Sequence, residues 1–275
     1  MVDVLWVDTV TSLNSSHRGK VLIGGSHGGL YAGYLAAKAG VKAVILHNAG
    51  VGKNSAGIGS LSYLEKLGMP AAALQHRSAR IADGKDQLNR GIISHVNKIA
   101  GSLGCYQDQS CEDCATRMKL ADQWSSAIPE FGESRFLLRK ARKCGEPNVW
   151  GIDSLSLLRN DDRGEIIITG SHGGLFKNSE NKLMEEPPTA MIFNDAGLSA
   201  DRSGIARLSL LDDQNIIAAT VSHTSACIGQ AKSVWENGIL SHVNNRAKNF
   251  GIFPDNNLLT FCHKVIDALQ HSCYK

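Results

Sequence analysis

No stretch of the chain approaches the roughly 20 consecutive apolar residues that a membrane helix needs. The N-terminus lacks the basic-then-apolar order of a secretory signal, so a cytoplasmic protein is expected. Charge of one sign is not in excess. Lys and Arg number 29 against 26 Asp and Glu, for a formal net charge of +3, and the basic residues are scattered. Neither nucleic acid nor an anionic membrane surface is expected as a partner. The seven cysteines are odd in number and irregularly spread, which argues against a secreted disulfide framework. Cys111 and Cys114 have the spacing of a metal knuckle, yet Cys105 and Cys144 supply no second close pair. Reduced, unrelated thiols are therefore expected over a zinc or iron–sulfur site. Also missing are a His-Glu-x-x-His motif and the dinucleotide fingerprint. Gly24-Gly25-Ser26-His27-Gly28-Gly29 is glycine-rich, but His47 stands where an acidic residue belongs, and no NAD is expected.

What the chain does contain is 275 residues that are 43% hydrophobic, enough for one large core or two smaller ones. The stretch Gly25-Ser26-His27-Gly28-Gly29 occurs again as Gly170-Ser171-His172-Gly173-Gly174. Each copy follows a short apolar run, Val21-Leu22-Ile23 or Ile166-Ile167-Ile168. A buried strand ending in a glycine-rich turn is a common place for a site in an α/β protein. Elsewhere, short apolar runs alternate with helical spacing. Strands are expected at 4–10, 21–23, 41–46 and 71–74, and helices at Leu30 to Lys38 and from Asn54 or Ser55 to Leu67. A longer helix is expected with Ile92, Val96, Ile99 and Leu103 on its inner face. The expected fold class is α/β with a mostly parallel sheet flanked by helices.

The second half repeats this order. Positions 44–104 align with 191–251 without a gap, and 23 of these 61 positions are identical. A tandem duplication is expected, with repeats at 1–125 and 148–275, a linker at 126–147 and pseudo-twofold symmetry. The counterpart of the first helix, Phe176 to Pro188, is more polar and contains Pro187-Pro188, so a looser crossover is expected there.

The duplication permits an internal comparison. Six of the ten histidines form matched pairs, His27 with His172, His76 with His223, and His95 with His242. The first two pairs follow expected strands, where their side chains can converge at one end of a sheet. The third is expected within a helix and in a structural role. The differences are equally informative. Asn48 is aligned with Asp195, and Arg80 and Asp83 are aligned with Cys227 and Gln230. A composite site shared by the two repeats is the resulting expectation. His172, Asp195, His27 and His76 would move protons. Arg80 would hold an anionic group. Ser171, Gly173, Gly174, Asn48 and His223 would contact substrate, the glycine N–H groups steadying an oxyanion. A hydrolase acting on an amide or related C–N bond of a small polar substrate fits this set, with elimination and non-catalytic ligand binding as the alternatives. Homo-oligomerisation is compatible with it.

The Ser26-His27-Gly28 and Ser171-His172-Gly173 turns resemble the caspase-type fold, including its bacterial CHAT branch, in which a His-Gly turn follows one strand and a nucleophilic cysteine follows the next. Asn48 and Asp195 stand near the cysteine's place. The resemblance therefore implies a cysteine hydrolase only if Cys227 is a displaced nucleophile beside His223 or His172. Finally, His172, Asp195 and His223 lie on successive strand ends, a candidate three-ligand set for a divalent metal.

Overall fold

A computed structural model describes residues 3–176 and 187–273. They divide into two compact units. The first comprises 3–132 with 174–176 and 196–204; the second comprises 133–173, 187–195 and 205–273.

In chain order the first unit contains β1 (Val4–Val7), β2 (Val21–His27), α1 (Leu30–Lys38), β3 (Ala43–His47), α2 (Ser60–Lys66), β4 (Ala71–Leu74), α3 (Gly84–Arg90), β5 (Ile93–Val96), α4 (Lys98–Ser102) and α5 (Cys111–Met118). The second contains β6 (Arg135–Arg139), β7 (Val149–Ile152), β8 (Ile166–His172), β9 (Ala190–Asn194), α6 (Arg207–Asp213), β10 (Ile217–Val221), α7 (Ala231–Asn237), β11 (Leu240–Val243), α8 (Asn245–Asn249) and α9 (Leu258–Cys273).

The first sheet has the order β1-β2-β3-β4-β5, parallel except for the antiparallel β4–β5 pair. The second has the order β11-β10-β9-β8-β7-β6. It is parallel from β7 to β10 and antiparallel at both outer strands. Runs such as Val21-Leu22-Ile23 are apolar on both faces because both faces of the sheet are covered. In the first unit Leu22, Val44, Leu46 and Ala73 pack against α1 and α2, while Ile23, Ile45, Ala72 and Leu74 pack on the opposite face against α4 and α5. In the second, Ile168, Ile192 and Ala219 pack with α7, α8 and α9, and Ile167, Met191 and Ala218 with α6. Cys105, Cys111 and Cys114 are free thiols buried in the α4–α5 layer.

Three expectations need correction. The segments around His95 and His242 are strands, β5 and β11, not helices. Gly91 and Gly238 end the preceding helices, and Asn97 and Asn244 cap the short helices that follow. The helix expected from Asn54 or Ser55 starts only at Ser60, because Asn54 and Ser55 adopt left-handed backbone with φ of 53° and 55°. Residues 126–147, read as a linker, carry β6. The expected looser crossover from Phe176 to Pro188 lies largely outside the described residues. Among the described residues no helix is long and apolar enough to cross a membrane.

Candidate functional site at the strand ends

The four parallel strands of the second sheet end, side by side, at Ile152, His172, Asn194 and Val221. They therefore bring Asp153, His172, Asp195 and His223 to one end of that sheet, where α/β proteins hold their ligands. The first sheet places Asp8, His27, Asn48 and His76 in the same way.

Many of the matched residues have duties within the fold. A Cβ on Gly25 would lie 2.4 Å from the Asp8 carbonyl oxygen, and one on Gly170 would lie 2.6 Å from that of Asp153. Glycine is needed there for close backbone approach. The Ser26 hydroxyl accepts from the Val10 N–H at 3.0 Å, and Ser171 accepts from the Leu155 N–H at 3.0 Å. The Gly28 N–H donates to the His47 carbonyl at 2.7 Å and the Gly173 N–H to that of Asn194 at 3.1 Å. The Gly29 N–H donates to His27 Nδ1 at 3.1 Å. The Gly28 and Gly173 N–H groups thus tie strand ends together. Burial pushes His27 down to about 4, so its ring is neutral at pH 7. Asp8 and Asp153 were not singled out from the sequence. Each accepts a backbone N–H at the start of a helix, from Gly84 at 3.0 Å and Ala231 at 2.9 Å.

His47 and Asn194 are aligned and do the same work with different chemistry. His47 Nε2 donates to the Ala79 carbonyl at 3.2 Å, and Asn194 Nδ2 donates to the Ala226 carbonyl at 3.2 Å. His47 Nδ1 accepts from the Ala49 N–H, which fixes the neutral tautomer, and desolvation lowers its pKa to about 4.

Asn48 and Asp195 organise the next position. Asn48 Oδ1 accepts from the His76 backbone N–H at 3.0 Å and from His76 Nδ1 at 3.2 Å. Asp195 Oδ1 accepts from the His223 backbone N–H at 3.0 Å and from His223 Nδ1 at 2.9 Å. The histidine seated on Asp195 Oδ1 is thus His223, which lies in the turn after the adjacent strand β10. Asp195 is buried. Desolvation alone would raise its carboxyl. The hydrogen bond and charge of His223, with a further hydrogen bond from Ser241, outweigh that and hold Asp195 below the ordinary carboxylate range.

Arg80, expected as an anion clamp, meets carboxylates of its own unit. Its Nη2 lies 2.8 Å from Asp201, and its Nη1 lies 3.7 Å from Asp86 and 3.9 Å from Asp83. Arg90 joins the same network, 2.6 Å from Asp201 and 2.8 Å from Asp86. Cys227 is buried, and its backbone N–H donates to Ser233 Oγ, as that of Arg80 does to Asp86. Glu133, missed by sequence reasoning, accepts from Ser156 Oγ at 3.3 Å beside the end of β7. Burial pushes it up to about 7. Among the described residues no three His, Cys, Asp or Glu side chains are arranged to hold a metal, so His172, Asp195 and His223 do not form the candidate ligand set.

The loops after β3 and β9 are backbone-strained at aligned positions. Left-handed φ values occur at Ala49, Val51, Asn54 and Ser55, and again at Ala196, Leu198, Asp201 and Arg202. Such residues cost energy and cluster at functional sites.

The fold and the strand-end histidines define an α/β protein of two three-layer units. Comparison with protein-family models, curated proteins and solved structures gives no match.

Proposed function

We propose that the chain is a hydrolase of a small polar substrate, with Asp195 and His223 as its proton-transfer pair. The observation that carries this reading is the buried carboxylate of Asp195 receiving both N–H groups of His223, where the aligned Asn48 presents only an amide to His76. A carboxylate orients the ring and stabilises the imidazolium; an amide does only the first. With Nδ1–H given to Asp195, Nε2 is the ring atom that accepts a proton. In hydrolysis of a C–N bond it would take one from water as the C–O bond forms and return it to the leaving nitrogen as the C–N bond breaks.

The same proposal treats the two units as products of one duplication. The aligned identities, the shared order of five strands and the matching left-handed positions support this. Asp195→Asn is the direct test, since Asn48 shows an asparagine accommodated at the aligned strand end. Against a panel of small amides and amidines, it should lower turnover by roughly 10²–10⁴-fold with the thermal midpoint nearly kept. Equal turnover in parent and variant would remove Asp195 from the chemistry.

Non-catalytic ligand capture is the second reading. It is favoured by the Gly28 and Gly173 N–H groups, which are committed inside the fold and not aimed at an oxyanion. A small molecule retained equally by parent and Asp195→Asn, with no turnover by either, would support it.

A further inference from the structure

We propose that Thr220 is a positioning residue for Asp195, acting through the Ser241 hydroxyl; this rests on the reading of Asp195 and His223 as the proton-transfer pair. The inference comes from counting hydrogens at two aligned positions. In the first unit Asn48 Nδ2 donates to Ser94 Oγ at 3.0 Å, and Ser94 passes its own hydrogen to the Ala73 carbonyl at 3.0 Å. His95 Nδ1 also lies 2.9 Å from Ser94 Oγ. In the second unit the amide is replaced by a carboxylate, which has no hydrogen to give. Ser241, aligned with Ser94, donates to Asp195 instead. A serine hydroxyl has a single hydrogen, so the contact of Ser241 Oγ with the Thr220 carbonyl at 3.3 Å cannot be served while Asp195 is.

Thr220 fills the donor place that the Asn48 amide holds in the first unit. Its Oγ1 lies 3.1 Å from Ser241 Oγ and can supply the hydrogen that the serine accepts. The resulting relay runs from Thr220 Oγ1–H to Ser241 Oγ, and from Ser241 Oγ–H to the Asp195 carboxylate. The aligned residue in the first unit is Ala73, with no hydroxyl. The additional hydroxyl thus occurs in the unit where the strand end has exchanged an amide for a carboxylate. Thr220 is fully buried near the C-terminal end of β10. A hydroxyl there costs stability unless bonded, and bonded chains polarise one another in the direction that favours the charged end. Its neighbours in register are Phe193 on β9 and His242 on β11. His223 faces the Asp195 carboxylate through Nδ1.

The test uses the full chain and two readouts. The titration of the Asp195 carboxyl is followed by carbon-detected NMR in the parent, Thr220→Ala, Thr220→Val, Thr220→Ser and Ser241→Ala. Thr220→Ala copies the residue of the first unit, and Thr220→Val keeps the shape. Both, with Ser241→Ala, should raise the Asp195 midpoint by about one pH unit, a tenfold change in its ionisation equilibrium. Thr220→Ser should restore the parent value. The acid limb of the pH–rate profile should move with it. An unchanged midpoint in folded Thr220→Ala and Thr220→Val makes Thr220 a packing residue and overturns the proposal. If either threonine variant fails to fold, Ser241→Ala decides, because a relay ending at Asp195 must show the same shift when its middle member is removed. The NMR readout is independent of turnover. Full activity in Asp195→Asn together with a shifted midpoint would thus reject the proton-transfer role while leaving the relay intact.

Discussion

Asp195 stands to His223 as Asn48 stands to His76. In each case one side-chain oxygen receives the backbone N–H and the ring Nδ1 of the histidine that follows the neighbouring strand, at 3.0 and 2.9 Å for the first pair and 3.0 and 3.2 Å for the second. The geometry is held while the chemistry differs, so each unit is a control for the other.

His47→Asn should leave stability at neutral pH within about 1 kcal/mol of the parent, because Asn194 makes the equivalent carbonyl bond. Acid behaviour should change. The buried ring has its pKa lowered from 6.5 to about 4, so its stabilisation is complete above pH 6.5 and is lost as pH falls towards 4. The variant should lose on the order of 3 kcal/mol less over that interval. Denaturant melts at pH 7, 5.5 and 4.5 check this.

Glu133 acts with the opposite sign. Its pKa is raised from 4.5 to about 7, so the folded state binds more protons than the unfolded between those values. Stability is therefore withdrawn as pH rises through the window. Glu133→Gln should flatten that dependence, making the variant more stable than the parent at pH 8 and leaving the two similar at pH 4.

Gly170→Ala should cost about 3 kcal/mol or more, since the new Cβ would meet the Gln230 N and the Asp153 carbonyl at 2.5 and 2.6 Å. Gly164→Ala is the control. Its φ of +73° is unfavourable to alanine but nothing lies within 4 Å, so about 1 kcal/mol is expected. Equal costs would mean that close approach is not what demands glycine in the repeated turn.

Ser55→Gly and Arg202→Gly should each stabilise by about 0.5–1 kcal/mol, raising the thermal midpoint by roughly 1–3 °C. Both residues are exposed and held at left-handed φ, 55° and 57°. A lowered midpoint in both would show that these side chains have contacts that outweigh the backbone cost.

The central strands were readable because Val21-Leu22-Ile23, Val44-Ile45-Leu46 and Ile166-Ile167-Ile168 are continuous apolar runs, which covering both faces of a sheet requires. β5 was not. Ile92, Val96, Ile99 and Leu103 have helical spacing, although that spacing spans a strand and the short helix after it. β6 was hidden because Arg135-Phe136-Leu137-Leu138-Arg139 is a charged, half-exposed outer strand. At the site, Asp195 was visible as a difference between the two aligned segments. The seat of His223 upon it depends on β9 and β10 being neighbours. The places of Thr220 and Ser241 depend on the antiparallel β10–β11 pairing, which no local spacing announces.

The segment 196–204 belongs to the first unit, where Asp201 joins Arg80 and Arg90 and the Ala200 N–H donates to the His76 carbonyl. During synthesis the first 132 residues therefore emerge well before the piece that completes them. At the ribosome's roughly 5–20 residues per second, several seconds pass with His76 and Arg80 unfinished. A chain cut after residue 132 has the strands of the first sheet but not the carboxylate of Asp201 that its two arginines share, so a truncated first unit is an incomplete one rather than an isolated domain.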